Sequence, residues 1–294
     1  MSGTLMGRIG ATILLFFVVT AVFAPVLAPY DPALRTATPF AAPSFAHPLG
    51  ANDVGQDILS ELIFASRLSL TVGIVSACLA TVLGVVLGVV SGYLRGLVDS
   101  VLMRGVDLIL SLPFLPLMIV LAAFLGQNTT NLILVIGLLI WARPARLIRS
   151  QVLSVRESGH VQAARAMGAT HIYIMVRHIL PRIIPLTAAQ FVRAANISIM
   201  LEASLAFLGL SDPFQKSWGA ILFYANARSA FLADAWLWWV LPPGLCIAAV
   251  VVSFAFLGYA LEERIDPRLR STLPTSKSLT GPGTPLPARE EALR

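Results

Sequence analysis

The sequence predicts an all-α membrane protein that crosses the bilayer six times. Of the 294 residues, 57% are hydrophobic and only 12% are charged, whereas soluble domains carry about 25% charge. The apolar residues also form long runs, and a bilayer core of roughly 30 Å needs about 20 apolar residues per helical span. The alternating segments of about ten residues that mark a transmembrane β-barrel do not occur in the sequence.

Six spans are predicted, at about 9–28, 69–92, 103–125, 131–149, 180–207 and 236–260. The first resembles a signal peptide, because Arg8 precedes a long apolar run. However, the run Ile9–Leu27 is longer than a usual signal core, and Pro25 directly follows the only small-residue exit, Ala24. We therefore expect an uncleaved first span.

The stretches between the spans divide the chain into three parts. Residues 1–68 should hold the first span and an extracytoplasmic segment, made of a Pro-rich stretch (Pro29–Pro48) and an amphipathic stretch (Asp53–Arg67). Residues 266–294 are rich in Ser, Thr, Pro and Gly, so we expect a disordered cytoplasmic tail.

Residues 69–265, between these two parts, should form a five-helix core. It has two long connections. We predict a cytoplasmic loop at about 150–182 and an extracytoplasmic loop at about 209–235.

The distribution of basic residues predicts the orientation. Of the 21 Lys and Arg residues, sixteen fall in one set of connections, four fall in the opposite set, and Arg193 lies within the fifth span. Cytoplasmic connections carry the excess of Lys and Arg, so both termini and the loop at 150–182 should be cytoplasmic. The same topology accounts for the pI of 9.9 better than nucleic-acid binding does, because the basic residues lie between apolar spans.

Glycine and proline mark two of the spans. Gly84, Gly88 and Gly92 recur every four residues in the second span and therefore share one helix face. Such a ridge permits close backbone approach, and we expect packing inside the bundle, with a subunit interface as the alternative. In the third span, Pro113 and Pro116 remove backbone donors and should bend or loosen the helix.

Ionisable residues inside spans are costly and are therefore candidate pathway residues. Three such residues are Asp107, Arg193 and Glu202. Asp107 lies near the cytoplasmic end of its span, close to Arg104, where snorkelling or pairing is the alternative interpretation. Arg193 and Glu202 are too far apart for a direct helical pair. Glu202 either lines a polar pathway or binds a neighbouring backbone group.

Nothing in the sequence predicts a metal site or an enzyme. Cys78 and Cys246 lie in apolar runs without ligand spacing, so we expect buried apolar side chains. The cytoplasmic histidines form no His-Glu-x-x-His pattern, and no Gly-Lys-Ser/Thr phosphate-binding loop exists. We expect no cofactor bound by this chain.

Three blocks of sequence lie within residues 5–270, and the second of those named below precedes the first along the chain. The first is Gln162-Ala163-Ala164-Arg165-Ala166-Met167-Gly168 with His178-Ile179-Leu180-Pro181. The second is His47-Pro48-Leu49-Gly50 with Gly55, Asp57, Ser60 and Arg67-x-Ser69-Leu70. The third joins Glu202-Ala203-Ser204-Leu205 and Phe207-Leu208-Gly209 to Ser217-Trp218-Gly219 and Asp266-Pro267-Arg268-Leu269. In combination they resemble the permease subunits of bacterial ABC importers in the branch that handles peptides and nickel, and within it the C-type permease of the pair.

This resemblance implies the type I ABC importer permease fold in a prokaryotic inner membrane. The implied partners, besides membrane lipid, are a second homologous permease, two cytoplasmic ATPase subunits and an extracytoplasmic solute-binding protein. ATP and Mg²⁺ would be bound by the ATPase subunits. Residues 162–168 would form a coupling helix seated in an ATPase groove, with the small Ala163 and Ala164 allowing close approach and Gly168 reversing the chain.

The sequence departs from the family pattern in two places. Gln162 stands where the family has Glu, which removes a salt bridge to the ATPase but leaves a hydrogen bond available. In the outer block, Thr, Asp and Arg are usual where this chain has Ala51, Asn52 and Gln56, and Arg is common where it has Glu61. We expect the outer segment to keep its fold while losing some polar contacts.

The predicted function is half of a translocation pathway for di- or oligopeptides, because few charges line the spans. Nickel, glutathione or oligosaccharide are the alternative cargoes. His47 is the only histidine outside the cytoplasmic loop, which argues against metal ligation. A stand-alone secondary transporter is a further alternative, but we detect no inverted repeat, and among the carboxylates only Glu202 lies well within a span.

Overall fold

A computed structural model describes residues 2–228, 230–231 and 233–265, and the predicted tail at 266–294 lies outside these residues. The described chain is helical, with no β-strand and only two isolated bridges, Arg35 with Gln56 and Ala51 with Asp57. The helices are α1 (Ser2–Val22), α2 (Ala24–Leu27), α3 (Ile58–Leu94), α4 (Gly96–Ser111), α5 (Phe114–Leu125), α6 (Thr129–Ile140), α7 (Ala142–Arg156), α8 (Gly159–Ala166), α9 (His171–Ile174), α10 (Leu180–Phe207), α11 (Trp218–Ala227), α12 (Trp236–Trp239) and α13 (Leu241–Ile265), with a π-helical turn at Met175–Ile179.

Five helical stretches of the described chain are long and apolar enough to cross a membrane. They are Leu5–Val22, Ile58–Leu94, Thr129–Arg156, His171–Phe207 and Trp236–Glu263. The predicted third span is a bent pair, α4 and α5, whose axes meet at 91°. Counting this pair as one span gives the predicted six.

Proline explains the break in the third span. Leu112 is extended before Pro113, as the residue before a proline prefers, and α5 starts immediately after Pro113. Pro116 lies in the first turn of α5, where backbone donors have no intrahelical partner anyway. Pro113 therefore causes the bend, whereas Pro116 fits into the first turn of α5 without breaking the helix.

The second span differs from its predicted bounds. The amphipathic stretch at 53–67 and the apolar run at 69–92 are largely one helix, α3, of 37 residues. The Asp57 side chain caps its start by accepting the Ser60 N–H at 2.8 Å, a typical N-cap. No Gly or Pro interrupts the helix before Gly73, so the change from polar to apolar residues at its start does not end it.

Helix α3 forms the centre of the bundle and packs against α1, α6, α7 and α10. Its glycine ridge lies against α7. A Cβ added at Gly84 would meet the Pro144 side chain at 2.7 Å, and one added at Gly88 would meet the Ala145 carbonyl oxygen at 2.7 Å. Gly92 lies in the same way against Arg149. The glycine ridge thus allows α3 and α7 of the same chain to pack in close contact.

Both described ends of the chain lie at the same end of the bundle. Gly7 of α1 faces Ala260 of α13, and Gly10 faces Ser253, so these two helices run antiparallel. This end, which also holds α8 and α9, is called the loop end below. The opposite end, which holds residues 28–57 and α11, is called the cap end.

Cys78 corrects a prediction. It is exposed rather than buried, and Cys246 is partly buried; both are free thiols. Cys78 shares one face of α3 with the exposed side chains of Val75, Val82 and Val86. That row is apolar and turned away from the other helices, which suits contact with lipid.

Candidate functional site

The segment singled out by the sequence forms a short helix at the loop end. Helix α8 ends at Ala166, and Gly168 follows in a left-handed conformation with φ of 80°. The Gly168 N–H donates to the Arg165 carbonyl at 3.0 Å and the Ala169 N–H donates to the Ala164 carbonyl at 3.1 Å. This pair of bonds is a Schellman motif, and it requires the positive φ that Gly168 supplies.

The two sides of α8 differ in burial. Val161 and Ala164 are buried in a cluster with Val152 of α7, Ile174 of α9 and Ile183 of α10. The solvent side exposes Gln162, Ala163, Arg165, Ala166, Met167 and Gly168, and Met167 is 81% exposed. Ala164 therefore packs inward, and of the two alanines expected to admit a partner only Ala163 is exposed.

Tyr93, at the end of α3, anchors this loop and was missed by sequence reasoning. Its hydroxyl lies 3.1 Å from Nδ1 of His171. The guanidinium groups of Arg165 and Arg156 lie 5.4 Å and 5.8 Å from the centre of its ring, within the range of cation–π attraction. One signal was present: Tyr93 directly follows the last residue of the glycine ridge.

Two polar residues complete the loop end. The Gln162 amide donates to the Glu157 carbonyl at 3.1 Å, and the Glu157 carboxylate pairs with Arg95 at 3.0 Å. Partial desolvation, Arg182 and His178 lower the pKa of His160. The Gln162 side chain is thus engaged within its own chain while it remains exposed.

Asp107 and Arg193 each form an ion pair between helices. Asp107 of α4 pairs with Arg146 of α7 rather than with Arg104. Arg193 of α10 pairs with Glu262 of α13. Arg146 and Arg193 both line a cleft of about 520 Å³ bounded by α4, α5, α6, α7 and α10. The cleft lies at the break in the third span.

Glu202 lies apart from that cleft. It is buried in α10 with 1% of its surface exposed. The hydroxyls of Ser69 and Ser217 flank its carboxylate, yet neither oxygen has a partner with good hydrogen-bond geometry among the described residues. Glu202 thus sits where α3, α10 and the start of α11 meet.

The second sequence block forms a hydrogen-bonded unit at the cap end. The Asp57 carboxylate accepts from the Ser60 hydroxyl at 2.6 Å and lies 2.9 Å from Nδ1 of His47. The Tyr30 N–H donates to the Ser60 hydroxyl at 3.1 Å. Ser69 accepts the Trp218 N–H at 3.1 Å, which ties the block to the start of α11.

The residues that depart from the family pattern also form contacts here. The Asn52 amide donates to Gln56 at 3.0 Å and to Glu61 at 2.9 Å. Lys216 pairs with Glu61. These positions are therefore linked to one another by polar contacts.

Within residues 2–228, 230–231 and 233–265, no group of three or more His, Cys, Asp or Glu side chains is placed to hold a metal ion.

Comparison with known proteins places the chain in one family. The family model of binding-protein-dependent transport system inner membrane components matches residues 84–271. The model of the N-terminal TM domain of oligopeptide transport permease C matches residues 6–48. The larger match contains the first and third sequence blocks, and the smaller match reaches the start of the second block at His47 and Pro48.

Individual relatives cover nearly the full length. A putative peptide permease protein of Brucella ovis is 34% identical over 264 residues, which is 89% of this chain and 86% of the relative. A putative peptide transport system permease protein of Brucella suis is 34% identical over 90% of this chain and 88% of the relative. The probable D,D-dipeptide transport system permease protein DdpC of Escherichia coli is 33% identical over 88% of this chain and 86% of the relative. This chain therefore belongs to the family of binding-protein-dependent transport system inner membrane components and is a multi-pass membrane permease.

Proposed function

We propose that this chain is the C-type permease subunit of an ATP-driven importer of di- or oligopeptides, and that it forms one half of the translocation pathway. Its partners are a second homologous permease, two ATPase subunits and an extracytoplasmic solute-binding protein. The chain is non-catalytic, and ATP and Mg²⁺ bind to the ATPase subunits.

One observation carries the choice of cargo. Relatives at 33–34% identity over 88–90% of this chain bear peptide or D,D-dipeptide transport in their names. The cleft of about 520 Å³ supports this choice, because small-molecule sites occupy roughly 300–1,000 Å³.

Energy coupling is assigned to α8, with the loop end in the cytoplasm. The excess of Lys and Arg at that end supports this orientation. The exposed Gln162, Ala163, Ala166 and Met167 form the surface offered to the ATPase. A displacement of α8 reaches the spans because Val161 and Ala164 share one buried cluster with α7 and α10.

The proposal is tested with the complete transporter in lipid vesicles. Uptake of a radiolabelled dipeptide should require this chain, the binding protein and ATP. Uptake of nickel, glutathione or an oligosaccharide in place of dipeptide would overturn the cargo. Dipeptide uptake driven by an ion gradient without ATP would overturn the mechanism.

A further inference from the structure

The cleft at the break in the third span is built from three parts of the chain. The ends of α4 and α5 supply apolar side chains, including Leu112 and Phe114. Arg143 and Arg146 come from the α7 side, and Gln190 and Arg193 from α10. The lining is thus apolar with a few polar groups, all of them able to donate hydrogen bonds.

The charges in the cleft do not balance. Arg146 is neutralised by Asp107 and Arg193 by Glu262. Arg143 is exposed and forms no ion pair or hydrogen bond with any other described side chain. One positive charge in the cleft is therefore left without an acidic partner within the part of the chain that the structure describes.

Gln190 points to the same conclusion. Its side chain lines the cleft and is 5% exposed, and its amide has no hydrogen-bond partner among the described residues. The amide is not fully enclosed by the protein, so it is free to donate a hydrogen bond to a group bound in the cleft.

The cleft lies away from the ends of the helical stretches that line it. Thr129 and Phe207 both lie at the cap end, where the Gln127 amide donates to the Gly209 carbonyl at 2.6 Å. At 1.5 Å per helical residue, Arg143 lies about 21 Å along the helix from Thr129, and Arg193 lies about 21 Å from Phe207. Arg143 therefore lies near the middle of the helical stretch Thr129–Arg156, and Arg193 lies well inside the stretch His171–Phe207.

We infer that this cleft binds the carboxylate of a transported peptide, with Arg143 as its cationic partner and Gln190 as a second donor. The inference rests on the proposed function and names the substrate group that this chain holds. An arginine fork matches a carboxylate in geometry and charge. An anionic lipid headgroup would offer similar chemistry, so the test separates the two.

The test uses the complete transporter with Arg143→Gln in vesicles of phosphatidylcholine alone and in vesicles that also contain phosphatidylglycerol. Dipeptide uptake should fall about tenfold or more in both, the loss expected for one charge-assisted hydrogen bond. The ratio of dipeptide uptake to uptake of its C-terminal amide should also fall. The binding protein is identical in all samples, so its own preference cancels in this comparison.

Two variants serve as controls. Arg143→Lys keeps the charge but loses the fork geometry, so its uptake should lie between those of Arg143→Gln and the wild type. Arg104→Gln removes an exposed arginine of α4 outside the cleft and should change uptake less than twofold, roughly the effect of an ordinary surface substitution. Assembly and basal ATPase activity should be unchanged in Arg104→Gln, and the amount of each variant that assembles is measured before uptake is compared.

Any of the following outcomes would overturn the inference. Uptake by Arg143→Gln equal to wild type would exclude Arg143, and an unchanged dipeptide-to-amide ratio would exclude the carboxylate. A loss confined to vesicles with phosphatidylglycerol would identify a lipid site instead. Wild-type vesicles that take up no peptide would overturn the proposed function itself, and with it the peptide as ligand.

Discussion

Lys216, in the connection between α10 and α11, forms an ion pair with Glu61 in the first turn of α3. Glu61 is 2% exposed and also accepts from Asn52 at 2.9 Å. The Lys216 ammonium group donates to Gln56 at 2.8 Å as well. Two positions that depart from the family pattern, Gln56 and Glu61, thus meet at one cation, and this contact fastens the connection before α11 to the start of α3.

Replacing Lys216 with Met should destabilise the protein by about 2 kcal/mol, because it leaves the buried Glu61 without its charge partner. Adding Glu61→Gln should recover most of this loss, since the unpaired charge is then removed. Thermal unfolding in detergent measures both effects.

Arg228→Met is the matched control for this pair. Arg228 lies 3.5 Å from Asp53 and is 61% exposed, so its loss should cost less than about 1 kcal/mol. A double variant no more stable than Lys216→Met alone would contradict the role given to the ion pair.

Glu202→Gln should leave dipeptide uptake unchanged and stability equal or higher. Glu202 does not line the cleft, and an amide can bond to Ser69 and Ser217 without a buried charge. Uptake and thermal unfolding should be measured on the same preparation. Reduced uptake at unchanged stability would instead make Glu202 a pathway residue.

Gly168→Pro should abolish coupling while membrane insertion stays intact. Proline fixes φ near −65° and has no N–H, whereas Gly168 has φ of 80° and donates to Arg165. Dipeptide uptake should fall at least about tenfold. In the control, Gly159→Ala at the start of α8, an added Cβ meets nothing within 4 Å, and uptake should stay near wild type. If both variants showed equal uptake, the chain reversal at Gly168 would not be needed for coupling.

Tyr93→Phe should loosen the α8 loop by about 1 kcal/mol, because it removes the hydrogen bond to His171 and keeps the ring beside Arg156 and Arg165. Tyr93→Leu removes both contacts and should have the larger effect. Limited proteolysis of residues 157–182 reports the loosening, and uptake per ATP hydrolysed reports its consequence. Identical cleavage rates in the wild type and both variants would mean that Tyr93 does not hold the loop.

The sequence predicted the spans well because apolarity over about 20 residues is a local property. It did not predict that the amphipathic stretch before Ser69 continues into the second span as a single helix, α3, which begins at Ile58. Those residues, Ser60 and Glu61 among them, face the cap segment, and the backbone of α3 remains helical through them. Apolarity marks where lipid can lie, and helix ends depend on caps such as Asp57.

The proposed coupling segment, residues 162–168, could be recognised in the sequence because its residues are contiguous. Gly168 could be assigned to the reversal of the chain after the helix. The sequence did not reveal three features. These are that Ala164 faces inward, that Tyr93 contacts the loop, and that a cleft forms around Arg143. Each depends on helices that are distant in sequence: Tyr93 meets His171 from another helix, and Gln190 meets the cleft only because α10 packs beside α7. Such contacts follow from the tertiary packing of the bundle.

Dipeptide uptake by vesicles that contain the complete transporter is the decisive measurement. Accumulation should require ATP, the binding protein and this chain, and it should be lost with Gly168→Pro while the subunits remain inserted. Accumulation by vesicles that contain this chain alone, or undiminished accumulation with Gly168→Pro, would contradict the proposed function.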